Sequence, residues 1–367
     1  MEEEIFYLLG LSQVEGIGDI LARKLLQHFG SAKALFQAAA KELKFVEGID
    51  QSRISSIRKG FDTQIVEKEM RFIASNEIVV HSILSASYPE RLKQINDAPC
   101  IIFSKGNIDL NRERPVAIVG SRHNTLQGKQ FTEELIQVLK SYGVFVISGL
   151  AYGIDIIAHK AALSADIPTL AVLAHGLDQV YPAAHRHTVD KMLQNGGILS
   201  EYPSGSALKK QNFPARNRIV AGMAEATIVI ETDIKGGAMI TAKLALNYNR
   251  DVFALPGRHN DPRSGGCNYL IKTNIAQLIT EGEDIALFMD WQEKDKKALL
   301  SIQPKLFATF SGEEQALLQL IQQKEGIHVD ELQIRSGLDS SNLARLLLQL
   351  EFMNAIISLP GKRYKLL

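Results

Sequence analysis

Cysteine is nearly missing from this chain: Cys100 and Cys267 are the only two, and neither sits in a CxxC or other metal-ligand pattern. That argues against a disulfide scaffold or a cysteine-built metal centre and fits the reduced thiols of a cytosolic protein. Net charge is missing as well. Lys plus Arg equals Asp plus Glu at 41 each, which argues against a uniformly basic nucleic-acid coat and confines any polyanion site to a local patch. No segment stays apolar for the ~18 residues that a membrane span requires. The opening, MEEEIFYLLG, is acidic, with no basic stretch ahead of a long apolar run, so it does not read as a secretory signal. A cytoplasmic protein with no membrane partner is expected. Apolar material is ample: 46% of the 367 residues are hydrophobic and 22% charged. The chain can bury a core, and its length accommodates two or three domains of roughly 100–200 residues.

Residues 1–75 are helical in pattern, with no strand-like alternation. Within them VEGIGDILARKLLQHF places a Gly-Ile-Gly turn before an amphipathic helix in which Ile20, Leu21, Leu25 and Leu26 recur at helical spacing. This resembles a helix-hairpin-helix (SAM-like) unit, whose free backbone N–H groups can hold a DNA phosphate without reading a base. A second copy, FVEGIDQSRISSI, keeps Gly48 but has Asp50 where the second glycine should stand, and so reads as structural. From 76 to 288 the runs PVAIVGS, VFVISG, TLAVLAHG, GILSEY, TIVIET and VFALPG alternate with helical patterns. Short Val/Ile-rich runs with helical crossovers predict an α/β, Rossmann-like doubly wound parallel sheet, which takes ligands outside the carboxyl ends of its strands. Residues 289–306 read as a linker, and 307–367 as a winged helix. Its recognition helix carries only Arg345 as a cation, with Leu343, Leu346, Leu347 and Leu350 in its core. A protein-contact or accessory role is favoured for it over sequence-specific DNA reading.

The first strand runs into Gly120, Ser121 and Arg122, and the second into Ser148, Gly149 and the turn through Gly153 to Asp155. Glycines that admit an anion, two hydroxyls and two helix N-termini make a phosphate cradle, open at this point to dinucleotides, nucleotides or polynucleotides. The first strand has no GxGxxG after it and the second no ribose-binding acid, which disfavours NAD; Gly128-Lys129-Gln130 lies in a helical pattern, so there is no Walker A loop. Asp155, Asp178, Glu201 and Glu231 lie near strand ends, where an acid–base pair could work, but capping and loop-fixing are their expected tasks. His175, His185 and His187 lack a convincing third-ligand spacing, so no metal is expected. No cofactor is expected either.

FPARNR, residues 213–218, follows the fourth strand with Lys209 and Lys210 just upstream. Read as a strip over the same carboxyl edge, it would set Lys210, Arg216, Asn217 and Arg218 against a phosphate chain. Phe213 would supply a face for a base, which single strands expose and duplexes hide.

Taken in order, YPERLKQINDAPCIIFSKGN, AIVGSR, SGLAYGID, AHGLDQVYP, GGILSEYPSG, FPARNRIVAG, IVIET with GGAMITA, FALPG and SGGCNYLI resemble the DNA processing protein A family (DprA, also called Smf) across nearly all of 88–271. The helical module and winged helix match its longer members. The resemblance implies a non-enzymatic protein that coats incoming single-stranded DNA in natural transformation and loads the recombinase RecA. It implies that Arg122 and Lys210 hold phosphate and that Phe213 contacts bases. Lys235-Gly236-Gly237-Ala238 departs from the family's usual Ser-Gly-Ser, and His185 from its usual Asn. Family members dimerise through the late part of the domain, where Leu270, Ile271, Ile275, Leu278 and Ile279 recur, so a homodimer is expected. The alternative is a nucleotide-processing enzyme of the phosphoribohydrolase-like Rossmann class, but KGGAMITA lacks the threonine and catalytic glutamate of that class's PGGxGTxxE motif.

Overall fold

The computed structural model describes residues 2–293, 312–323, 326–352, 355–359 and 361–366. They fall into two compact units, divided between Lys297 and Ala298.

Nine strands build the sheet of the first unit: β1 Val79–Ser82, β2 Ile101–Asn107, β3 Pro115–Val119, β4 Phe145–Ser148, β5 Thr169–Val172, β6 Gly196–Ser200, β7 Ala226–Val229, β8 Asp251–Ala254 and β9 Gln277–Leu278. Their order is β1-β2-β6-β5-β4-β3-β7-β8-β9. From β6 to β9 all neighbours are parallel, while β2 runs antiparallel to both β6 and β1. The six apolar runs are β3 to β8, so the expected doubly wound sheet is what forms.

Every residue of β3, β4, β5, β6 and β7 is buried, because helices cover both faces. Alternation survives inside these uniformly apolar runs. Val116, Ile118, Val146 and Ile228 pack with Leu135, Ile136 and Leu139 of helix Leu126–Lys140 and with Ile154 and Ala158 of helix Ile154–Ser164. Ala117, Val119, Phe145 and Ile147 join the opposite cluster, with Ile219 and Val220 of helix Asn212–Met223 and Met239 and Ala242 of helix Gly237–Asn247. That second cluster continues into Leu8, Leu25, Leu26, Leu35 and Ile54, so the helical segment before β1 shares one core with the sheet.

The second unit has helices Gly312–Gln323, Val329–Ser336 and Ser340–Phe352, and a sheet ordered β10 (Ile327–His328), β12 (Arg363–Leu366), β11 (Ile356–Leu359). This is a winged helix. Leu343, Leu346, Leu347 and Leu350 are buried as the spacing predicts, and Arg345 is exposed. The two-residue β10 was not legible, being too short to carry a period. Residues 294–306 of the expected linker lie outside the described residues.

Candidate nucleic-acid interface

The chain leaves β3 for β4 on one side and reaches β7 on the other, so the switch point of the sheet lies between β3 and β7. Crevices of this kind open at the carboxyl ends of the strands. A cleft of about 590 Å³ lies there, lined by Gly120, Ser121 and Arg122 after β3, Gly149, Ala151 and Asp155 after β4, and Thr232, Asp233, Gly236 and Gly237 after β7. Lys210, Phe213, Pro214, Arg216 and Asn217 close its other side.

The first two loops are tied together. The Ile154 N–H donates to the Ser121 carbonyl at 3.1 Å, and Gly153 sits so close that a Cβ there would lie 2.0 Å from that oxygen. Glycine is required, both for this approach and for φ of +79°. Asp155 accepts from the Gly149 and Ala151 N–H groups at 3.2 and 3.3 Å. Glu231, reaching back from the end of β7, accepts from the Thr125 N–H at 2.8 Å and from its hydroxyl. The loop-fixing expected of these carboxylates is thus their observed task. Ser148 is fully buried and donates to the Ile118 carbonyl at 2.6 Å; it shapes the floor without reaching the cleft. Ser121 accepts from the His123 N–H at 3.1 Å and stays at the rim.

FPARNR forms the start of helix Asn212–Met223, and helical geometry divides what the strip reading held together. Phe213, Arg216, Asn217 and Val220 fall on the cleft face at i, i+3, i+4 and i+7. Arg218, five residues beyond Phe213, is rotated away by more than a third of a turn. It donates to Asp19 at 2.8 Å, to Glu201 and to the Asp97 carbonyl. Burial works against its charge, but Glu201 and Asp19 hold its pKa above the ordinary value. Arg218 therefore clamps the N-terminal helices to the sheet.

Arg216 is only 4% exposed. Its Nη1 donates to the Gly149 carbonyl at 2.8 Å and to Val172 O, and its Nε to Asn217 Oδ1 at 3.3 Å. Burial pulls its pKa down to about 10, while Asp155 works the other way. Both arginines are engaged inside the protein, which corrects the reading of Lys210, Arg216 and Arg218 as one phosphate-facing strip. The exposed cations of the cleft rim are Arg122 and Lys210. Phe213 lines the same cleft, half-buried, its ring 5.8 Å from the Arg122 guanidinium and 5.9 Å from the Tyr181 ring.

The other expectations resolve locally. Asp50 caps helix Gln51–Lys59 by accepting from the Arg53 N–H at 2.9 Å, filling the place a phosphate would take. In the first copy, Asp19 opens helix Asp19–Phe29 and accepts from the Cys100 N–H at 3.3 Å, so that turn faces the sheet. His175 and His185 are buried and bonded through Nδ1 to the Gly176 and Leu150 carbonyls at 2.9 Å each. His187 is exposed. Tyr181, Thr232 and Thr241 border the cleft without having been singled out; the signal was their place in AHGLDQVYP, IVIET and GGAMITA.

A doubly wound sheet with a cation-rimmed cleft at its switch point, in a chain that also carries a winged helix, defines a Rossmann-type protein with a candidate anion-binding site. The chain belongs to the DprA/Smf family: the model of the family described as DNA recombination-mediator protein A matches residues 79–290, and the DprA winged helix domain matches 304–362. Protein Smf of Synechocystis sp. is 32% identical over 98% of this chain and 98% of its own length. DNA processing protein DprA of Streptococcus pneumoniae is 45% identical over 56% of this chain and 72% of its own. The X-ray structure of DprA from Streptococcus pneumoniae superposes with a TM-score of 0.67 at 34% identity, covering 80% of this chain and 98% of that one. The structure of DNA processing protein A from Helicobacter pylori, described for its unique single-stranded DNA binding mode, has a TM-score of 0.54 at 32% identity and covers 59% and 98%. Among the described residues, no helix is long and apolar enough to cross a membrane.

Proposed function

We propose that this chain is a non-enzymatic single-stranded DNA-binding protein that protects incoming DNA and loads the recombinase RecA on it during natural transformation and recombination. The observation that carries the reading is the half-exposed ring of Phe213 beside Arg122 in a switch-point cleft that the exposed cations Arg122 and Lys210 both line. A base stacks on the ring while the flanking phosphates meet the cations and the N–H groups of the Gly120–Arg122 loop. The carboxylates Asp155, Glu201 and Glu231 are held by protein partners, which supports binding over hydrolysis. The Helicobacter relative's single-stranded DNA binding and the family's description as recombination mediators support the same reading.

Single strands are expected to bind in preference to duplex, with affinity falling as salt rises; equal affinity for both across a salt series would sink the proposal. Phe213→Ala should weaken binding by about 1–3 kcal/mol and leave the salt slope unchanged, because it removes no counterion-releasing contact. Arg122→Ala or Lys210→Ala should weaken binding and flatten the slope by roughly 0.7 each, the single-strand value per phosphate. If Phe213 served only the core, its alanine variant would instead lose about 3–5 kcal/mol of stability and bind normally when folded.

A homodimer through the late part of the sheet belongs to the same proposal. Leu270 and Ile279 are buried within the subunit, but Leu278 on the edge strand β9, and Leu287 and Phe288 on helix Gly282–Phe288, are exposed. A monomer mass that stays constant with concentration in light scattering would contradict it. For RecA, filament assembly on single-stranded DNA should accelerate when the protein is added.

A further inference from the structure

Beyond Phe213 the cleft continues into a shallow depression of about 30 Å³ that shares Arg122, Gly149, Ala151, Tyr181 and Phe213 with it and adds Tyr152. Two tyrosines at one rim of a DNA-facing cleft call for an account. Tyr152 is 50% and Tyr181 46% exposed. Tyr181 meets Phe213 edge-on at 5.9 Å, and Tyr152 meets His185 edge-on at 4.9 Å. Both rings are thereby fixed at their edges while their exposed surface faces solvent.

The backbone behind them is held in an unusual shape. Leu150 is fully buried yet adopts φ of +59°, which side-chain-bearing residues rarely do. His185 Nδ1 bonds the Leu150 carbonyl at 2.9 Å and so pins the turn that carries Tyr152 outward. Strained, over-determined turns of this kind gather at ligand sites. A cation stands beside the tyrosines: exposed Arg122 lines the same pocket. An alternation of cations and aromatic faces is how single strands are bound without base readout.

The geometry points to a second base site: Tyr181 and Tyr152 hold the base of the nucleotide next to the one on Phe213, in the same single strand. This rests on the reading of the cleft as a single-stranded DNA site. The pocket is shallow, so the base lies against the ring surfaces at its rim, and the site is tolerant of sequence because every base offers a π-face.

The test compares wild type with Tyr152→Ala, Tyr181→Ala and the corresponding Phe variants, using an oligothymidine and the same strand with abasic residues. Each alanine variant should lose roughly 5- to 150-fold in affinity for the intact strand, the range of one stacking contact. The Phe variants should bind as wild type, since the ring and not the hydroxyl is used. On the abasic strand wild type should fall to the level of the alanine variants. Melting temperatures should not move, as both side chains are half exposed. Photo-crosslinking of a 5-iodouracil strand to wild type, with the attachment mapped by peptide sequencing, gives a readout independent of any variant and should reach Tyr152 or Tyr181. If both alanine variants bind as tightly as wild type while Phe213→Ala stays weak, or if crosslinks fall only on Phe213, the second site is wrong and the cleft reading stands. If Phe213→Ala also binds normally, or wild type binds no single strand, the cleft reading fails and takes the second site with it.

Discussion

Arg216→Ala should be among the most destabilising substitutions in the sheet unit. The guanidinium is buried, donates to the Gly149 and Val172 carbonyls and faces Asp155. Truncation removes the donor that the Gly149 and Val172 carbonyls share and leaves the buried Asp155 carboxylate without its cation. Breaking a buried charge pair from one side costs about 3–5 kcal/mol, on the order of 10 °C in melting temperature. The pH dependence identifies the cause. Burial already lifts the Asp155 pKa above the usual carboxylate range, against the pull of Arg216, so it should rise further once the cation is gone. A carboxyl whose folded pKa lies above its unfolded one supports the fold when protonated and loses that support as pH climbs through the folded value. The deficit of Arg216→Ala should therefore be largest near neutral pH and shrink in mild acid. Melting curves of variant and wild type across that range check it; a deficit that does not change with pH would mean that the lost carbonyl bonds alone account for the damage. Any DNA bound by the folded variant should show the wild-type salt slope, because the Arg216 guanidinium is engaged by the Gly149 and Val172 carbonyls.

That arginine also shows where sequence reading stops. The strands β3 to β8 were legible because buried parallel strands are written as unbroken Val/Ile-rich runs, and their carboxyl ends located the cleft. β1, β2 and β9 were not: β1 has one buried residue in four, β2 ends in exposed Gly106 and Asn107, and β9 is two exposed residues long. That FPARNR borders the carboxyl edge of the sheet was legible, but its division was not. Whether an arginine faces solvent or the core depends on the helical phase of residue 213, and that phase is set by packing on β3 and β5. The Arg218–Asp19 pair joins positions 199 apart in sequence, and no local pattern announces it. Charges that look free in a list of residues are often the ones that hold two layers together.

Gly153→Ala should damage fold and binding together, and by a route that no side-chain deletion can imitate. Gly153 adopts φ of +79° and ψ of −129° at the start of helix Ile154–Ser164, a conformation that costs a residue with a Cβ about 1–3 kcal/mol. The added Cβ would also lie 2.0 Å from the Ser121 carbonyl oxygen and 2.7 Å from Arg122 Cα. Both neighbours are backbone, so no rotamer change relieves the overlap, and the loop after β3 must move. With overpacking at about 1–3 kcal/mol, the total is on the order of 2–6 kcal/mol. The Ile154–Ser121 bond should be lost with it, and Arg122 carried away from Phe213. Binding of the folded fraction to single strands should then fall below that of Arg122→Ala, because the N–H groups of the cradle are displaced along with the cation. Gly30→Ala is the control: Gly30 ends helix Asp19–Phe29 at φ of +76° with nothing within 4 Å of a Cβ. It should cost only about 1–2 kcal/mol for the left-handed conformation and leave binding untouched. Melting temperature and single-strand affinity measured on both variants separate the two terms. A Gly153→Ala protein that melts low but binds as wild type would show that the Gly120–Arg122 loop is packing, and that the phosphates lie elsewhere on this edge of the sheet.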